Sequence, residues 1–345
     1  MAPRQEGCSC GGEVFAKQIA VVMERSVRRF PAESRALGIG RSMIALAQAS
    51  ILVFTPASHL FVPVGGDEIT IDCSTPVQGV SLYCLAGSAD RQLLNILVLA
   101  LLLIVASGIL PRYTTVLHFW ASLSIGQSVS LPDGGDSVAQ VVTFFLVLAC
   151  ANDRRRWHWQ QPTGEEGKGS IPQGLAWAGW WGVRLQVAYI YLNSALAKLS
   201  VGPWAEGSAT YYVARMENFG AAGLFADLFR WATGITLIAL LSAWGTIFAE
   251  GLIALFLLRG GSRQMVAATI SACLHVLIIL QLGIISFGFI MLGAVICAAS
   301  RGIDANAPRL KSLLSHTRSS PGASHSSMPT DPEPTGKTDA VKLGS

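Results

Sequence analysis

Four ionisable residues stand inside otherwise apolar stretches of the chain: Arg184, Lys198, Glu250 and His275. Placing any one of them in a membrane interior costs about 2.5 to 3.5 kcal/mol, so each calls for a partner, water or a function. An amine in a partly dry cleft suits a base or a nucleophile, which makes Lys198 the candidate catalytic base. The plain alternative is a snorkelling lysine whose amine sits among lipid headgroups. Arg184, Tyr191 and Lys198 recur every seven residues, with Ala188 and Ala195 between them. That spacing puts them on one helix face, where small residues admit a close neighbour. Just beyond Lys198 the chain concentrates Trp204, Glu206, Gly207, Tyr211, Tyr212, Arg215 and Glu217. Trp and Tyr alone would form an interfacial belt, whereas two acids and an arginine among them suggest the mouth of a substrate cleft that Tyr191 also lines. No Gly-rich phosphate loop, His-Glu-x-x-His or Gly-x-Ser-x-Gly accompanies them.

The elements that must position these residues follow from composition. Of 345 residues 51% are hydrophobic and 13% charged, about half the roughly 25% charged fraction of soluble domains. Mean hydropathy is +0.48. A soluble single domain is excluded, and the expected fold is all-α, a polytopic helical membrane protein. Eight apolar runs qualify as transmembrane helices, at about 37–55, 93–110, 114–131, 137–151, 175–199, 233–258, 265–281 and 284–299. With both termini cytosolic, 20 of the 25 Lys and Arg residues fall on the inner side and three outside, the bias expected of the cytoplasmic membrane. The net charge of +4 is therefore a topology signal. It does not form a basic stripe interleaved with aromatics, so the partner is the lipid membrane and not nucleic acid. Counting along each span places Arg184 about 13 Å, Glu250 about 12 Å and His275 about 16 Å from the cytosolic end, and Lys198 about 34 Å, at the outer rim. The expectation is an intramembrane polar cluster in which Arg184 and Glu250 form an ion pair and His275 joins them.

Three parts are expected: a cytosolic segment over 1–36, a transmembrane domain over 37–300 and a disordered cytosolic tail over 301–345, rich in Ser, Pro, Thr and Gly from Asp304 onward. No cleavable signal peptide is visible, and the first apolar run reads as an uncleaved anchor. Phe15, Ile19, Met23, Val27 and Phe30 recur at helical spacing among Lys17, Arg25, Arg28 and Arg29, the pattern of an amphipathic helix on the inner leaflet. Cys73 and Cys84 share an outer loop where a disulfide can persist. Cys8 and Cys10 lack the second ligand pair of a zinc site, so no metal is expected. Asp133, Gly134, Gly135 and Asp136 read as a structural turn.

The stretch Tyr189-Ile-Tyr-Leu-Asn-Ser-Ala-Leu-Ala-Lys198-Leu, followed by Pro203-Trp-Ala-Glu-Gly207-Ser-Ala-Thr-Tyr-Tyr212, resembles the HTTM superfamily, the membrane domain shared with vitamin K-dependent gamma-carboxylases. Glu250, His275 and the Ile285 to Gly288 run add to that likeness. Within it, Gly38-Ile-Gly-Arg41-Ser, Ser81-Leu-Tyr-Cys84-Leu and Asp133-Gly-Gly-Asp136 look like the SdpB family of antimicrobial peptide systems. The SdpB resemblance implies a role in maturing or exporting a secreted SdpC-like peptide toxin precursor at the outer face, with an SdpA-like partner. The carboxylase resemblance implies the alternative of a membrane enzyme that uses Lys198 as base on a reduced quinone. A small-molecule transporter would show paired broken helices, and the chain offers a single candidate break, at Leu282 to Gly283.

Overall fold

The computed structural model describes residues 10–61, 71, 73–87, 89–163, 170–216 and 224–318. Two units are distinguished, Met1–Ala307 and Pro308–Ser345. The first begins with α1 (Cys10–Arg28) and α2 (Arg35–Phe54), followed by three single turns, α3 (Ala57–Leu60), α4 (Pro76–Gly79) and α5 (Leu82–Leu85). Then come α6 (Arg91–Ser107), α7 (Pro111–Ser128), α8 (Gly134–Ala149) and the long α9 (Ile171–Leu199). Single turns α10 (Gly202–Ala205) and α11 (Ala209–Val213) and the short α12 (Leu224–Thr233) lead to α13 (Thr236–Leu258), α14 (Ser262–Leu282) and α15 (Ile285–Arg318). Among the described residues there is no strand, and one isolated bridge joins Ile109 to Trp157.

Among the described residues, four helices are long and apolar enough to cross a membrane: Arg35–Phe54, Thr236–Leu258, Ser262–Leu282 and Ile285–Pro308. Two more, Arg91–Ser107 and Gly134–Ala149, are apolar but shorter. The outward faces explain why such a bundle needs a non-aqueous surround. Phe144 on α8, Leu185 and Leu192 on α9, Leu241 and Phe248 on α13, and Val276 and Leu277 on α14 are all exposed, an apolar belt that water does not tolerate.

Among the described residues the interior has three apolar clusters, a small one at Phe30, Ala176 and Trp180 and two larger ones that meet at α2. One gathers Ile44, Val142, Leu146, Val187, Ile253, Leu257 and Ile290 from α2, α8, α9, α13 and α15. The other joins Leu52, Phe61, Tyr83, Val98, Leu102 and Ile125 around α6 and α7. α2 meets α15 through a pair of glycines. A Cβ at Gly40 would stand 2.5 Å from the Gly293 carbonyl oxygen, and one at Gly293 would stand 2.8 Å from the Gly40 carbonyl. Backbones this close leave room for no side chain.

Helix ends follow local chemistry. Ser34 caps α2 by accepting from the Leu37 amide at 3.0 Å. Asp133 and Asp136 form a reciprocal capping box on α8, at 2.9 and 3.1 Å, the structural role expected for that turn. The tail boundary moves, because α15 continues past residue 301 to Arg318, with Pro308 inside it. Asp304 is held there by Ser34 Oγ, at 2.6 Å, and by the Ala36 amide, at 3.2 Å. The Ser- and Pro-rich composition that suggested disorder belongs to residues after 318, which lie outside the described residues. α1 is a helix with Phe15, Ile19 and Met23 exposed, whereas Phe30 is buried against Trp180, with ring centroids 5.8 Å apart.

The connection between α8 and α9 is pinned by charge. Arg155 pairs with Asp153 at 2.6 Å, both side chains 2% exposed, and also donates to the carbonyls of Ser34, His158 and Gln160. Burial, with Arg41 and Arg155 adding repulsion, pushes the His158 imidazole down to about 3, so the neutral ring can accept from Arg41 across 3.2 Å. Arg155→Gln leaves Asp153 buried without its counter-charge, and a loss of about 3 to 5 kcal/mol is expected. Thermal unfolding in detergent or lipid should show it, and an unchanged melting curve would contradict the assignment.

Candidate functional site

α9 presents Val183, Arg184, Val187, Ala188, Tyr191 and Ala195 as its buried face, the seven-residue spacing made physical. It packs between α8 and α13. Near its C-terminal end Lys198 Nζ lies 2.7 Å from Glu250 Oε1 and 2.8 Å from Oε2. Its remaining N–H donates to Ser194 Oγ at 2.6 Å, and Ser194 in turn donates to Glu250 Oε1 at 3.1 Å. The Trp204 ring stands 5.2 Å from the ammonium, a cation–π contact that shields one side of it. Lys198 keeps 19% side-chain exposure and Glu250 8%, so the pair is shielded yet reachable.

Two turns deeper on the same face, Tyr191 Oη bonds His275 Nε2 at 2.8 Å and Ser271 Oγ at 2.9 Å. Phe287 stacks on the imidazole edge, with centroids 5.6 Å apart. His275 Nδ1 is buried and makes no hydrogen bond.

The expected pairing of Arg184 with Glu250 is corrected by this geometry. Arg184 donates through Nε to the Leu257 carbonyl, and its guanidinium lies 4.9 and 4.5 Å from the rings of Trp180 and Trp181. The reason is side-chain direction. Helical side chains lean toward their own N-terminus, so in antiparallel α9 and α13 the heads of Lys198 and Glu250 converge. The head of Arg184 leans away from Glu250. Counting Cα depth from the end of each span ignores both this lean and the shift of one helix along the other. His275 joins Tyr191 and not the ion pair.

The loop after Lys198 is arranged by Gly207. Its φ is 81°, in the left-handed region, and a Cβ there would stand 2.3 Å from Leu240 Cδ1 on α13. Only glycine fits both constraints. Thr210 then bonds Ser242 Oγ at 2.7 Å and donates to the Ala239 carbonyl. Of the expected mouth residues, Trp204 faces the ammonium, whereas Glu206, Tyr211 and Tyr212 are exposed. Tyr211 carries the Arg215 guanidinium 3.6 Å over its ring. Glu217 lies outside the described residues. Cys73 and Cys84 are joined by a disulfide, in a segment docked on α7 through Leu82 N and Ser124 Oγ, 2.9 Å apart.

Ser194 and Ser271 were not singled out in the sequence, because serines are common in such helices. Arg41 and His118 were missed as buried polar groups. Arg41 resembled a topological flank but is 1% exposed, donating to the Pro111 carbonyl and Thr114 Oγ1 at 3.1 Å each. His118 is wholly buried, with Nε2 3.2 Å from Gln48 Oε1. The signal for both was the run of Thr, His and Ser at helical spacing along α7.

The residues at Lys198 do not fit a base acting on the reduced quinone that the carboxylase resemblance implies. The three hydrogen bonds of the amine go to Ser194 and to the two oxygens of Glu250, which leaves it no free hydrogen-bonding position toward such a group.

Comparison with known proteins finds relatives of the chain in Bacillus subtilis. The chain is 32% identical over 263 residues to the uncharacterised protein YitO of Bacillus subtilis, a match covering 75% of this chain and 83% of YitO. It is 28% identical over 258 residues to the sporulation-delaying protein SdpB of the same organism, covering 74% and 78%. No family model matches the chain. No solved structure matches it. The chain belongs to the family of YitO, and its likeness to SdpB makes that family SdpB-like.

A double-mutant cycle tests the central pair. Lys198→Ala and Glu250→Gln should couple by about 1 to 3 kcal/mol in unfolding free energy, whereas Arg184→Ala and Glu250→Gln should be additive within about 0.5 kcal/mol. The reverse pattern would restore the pairing expected from depth alone.

Proposed function

We propose, from the premise of membership in this SdpB-like family, that the chain is the membrane component of a system that matures or exports a secreted antimicrobial peptide. Its working site is the Lys198–Glu250 pair at the outer end of α9. In this reading α2, α6, α7, α8, α9, α13, α14 and α15 cross the cytoplasmic membrane, with both termini inside. Each overlaps one of the eight apolar runs in the sequence, and the distribution of Lys and Arg supports that orientation. The shorter helices α6 and α8 span by tilt or local thinning. The substrate is an SdpC-like precursor arriving at the outer face, and an SdpA-like protein is the partner.

The observation that carries the site is a single charge pair, partly exposed and flanked by Trp204, on a helix face otherwise closed by packing. Such a pair exchanges partners readily when a peptide supplies its own. The ammonium donates to a peptide carbonyl or terminal carboxylate, and the Glu250 carboxylate accepts from a peptide N–H or amine. Gly207 and Thr210 hold the α10–α11 loop onto α13, so that Trp204 covers the pair from one side. The disulfide-bonded Cys73–Cys84 segment belongs to the same outer side.

Mass spectrometry of the peptide secreted by cells carrying the wild type, Lys198→Ala or no protein tests the reading. The mature peptide should be lost, or its mass altered, in both defective strains at equal protein levels. An unchanged peptide in the strain lacking the protein would overturn the function. An unchanged peptide in Lys198→Ala alone would overturn the site and leave Lys198 as an anchor.

A further inference from the structure

At the other end of α9 the bundle holds a second feature. Between Ser170 at the start of α9 and Lys198 the helix runs about 42 Å, so the two places are separate. There an open cleft of about 1200 Å³ is lined by Arg29, Arg154, Arg155, Arg156 and Arg301, together with Ser170 and Gln173. Arg155 is spent on Asp153 and on carbonyls. The other four arginines are exposed, and among the described residues none of them is ion-paired. Glu33, the acid lining the cleft, accepts from the Thr163 amide at 2.6 Å and its hydroxyl at 3.0 Å, so its carboxylate is engaged. Four cations gathered around one cleft repel one another, a cost that a multivalent anion removes.

The elements beneath hold this arrangement without an anion's help. The Asp153–Arg155 pair fixes the chain on which Arg154 and Arg156 sit. Arg301 lies 5.0 Å over the Phe30 ring and 5.3 Å over that of Trp180. Gln173 Nε2 donates to the carbonyls of Val27 and Phe30 at 2.9 and 3.2 Å, which holds the segment bearing Arg29 against α9. α9 also begins in the cleft, and the Ser170 side chain makes no capping hydrogen bond, so the positive end of a 29-residue helix adds to the arginine field.

We propose that this cleft binds a phosphate-bearing anion. Guanidinium forks match phosphate oxygens in pairs, which a field of lysines would not do with the same geometry. The phosphate could be supplied by an anionic lipid headgroup or by a soluble polyphosphate, and the two sources are separable. Exposed Phe15, Ile19 and Met23 on α1, which leads directly into Arg29, favour a lipid headgroup at the inner leaflet.

The test uses the full chain in nanodiscs of phosphatidylcholine, with and without phosphatidylglycerol, and the same chain in detergent titrated with pyrophosphate. The readout is saturable binding, followed by native mass spectrometry for lipid and by calorimetry for pyrophosphate. The double variant Arg154→Gln/Arg156→Gln should weaken binding by about tenfold or more. The control Arg259→Gln/Arg263→Gln removes two exposed arginines, one capping the end of α13 and one in the first turn of α14, that do not line the cleft, and should leave affinity within about twofold. Saturable phosphatidylglycerol binding with that pattern assigns the site to lipid, and saturable pyrophosphate binding with that pattern assigns it to a soluble anion. Failure of both probes to saturate, or an equal loss in the control variant, would overturn the proposal. None of these readouts depends on peptide secretion, so they stand or fall apart from the site at Lys198.

Discussion

A charge inside an apolar helical bundle must find a counter-charge, a carbonyl dipole or an aromatic face, because the surroundings do not solvate it. Each buried ion here meets that requirement in a different way. Lys198 takes a carboxylate and a hydroxyl. Arg184 takes a helix-end carbonyl and two indoles, and Arg41 takes the start of α7 and the neutral His158. These satisfactions link helices that the apolar cores alone would leave free to slide. Lys198 ties α9 to α13 near one end, and Arg184 ties the same two helices near the other.

The buried ion pairs differ in how far water reaches them and not in how fully they are hydrogen-bonded. Asp153 and Arg155 are shut from solvent and surrounded by acceptors. Lys198 and Glu250 are paired just as closely, yet the lysine retains solvent access beside an indole and a glycine-dependent loop. The difference lies in their surroundings. A closed pair rigidifies, whereas an open one can trade a partner for a ligand group. The arginines around Ser170 are the extreme case, charges gathered with no described counter-ion.

Most of the architecture was legible in the sequence because apolar periodicity and length dominate in lipid. The helical character of each long apolar run, the capping turn at Asp133 and the shared face of Arg184, Tyr191 and Lys198 follow from spacing alone. Partner choice was less legible. Depth counted on Cα atoms pointed Glu250 at Arg184, whereas the opposite lean of side chains on antiparallel helices delivers it to Lys198. The end of α15 was obscured by averaging composition across Arg318, because Ala305, Ala307, Leu310 and Leu313 support a helix that the Ser-rich residues beyond do not. Arg41 and His118 were hidden for a third reason: their partners are carbonyls at the start of α7 and Gln48 on α2, and the Thr, His and Ser spacing along α7 was the one local sign of them.

In the proposed orientation Lys198 and the arginines around Ser170 face opposite sides of the membrane, joined by α9. Single cysteines at Ser200 and at Arg156, in a chain whose cysteines other than Cys73 and Cys84 are replaced, report the side directly when intact cells are treated with a membrane-impermeant maleimide. Ser200→Cys should be labelled from outside, and Arg156→Cys only after the cells are opened. Labelling of both from the same side, or of Arg156→Cys alone in intact cells, would contradict it.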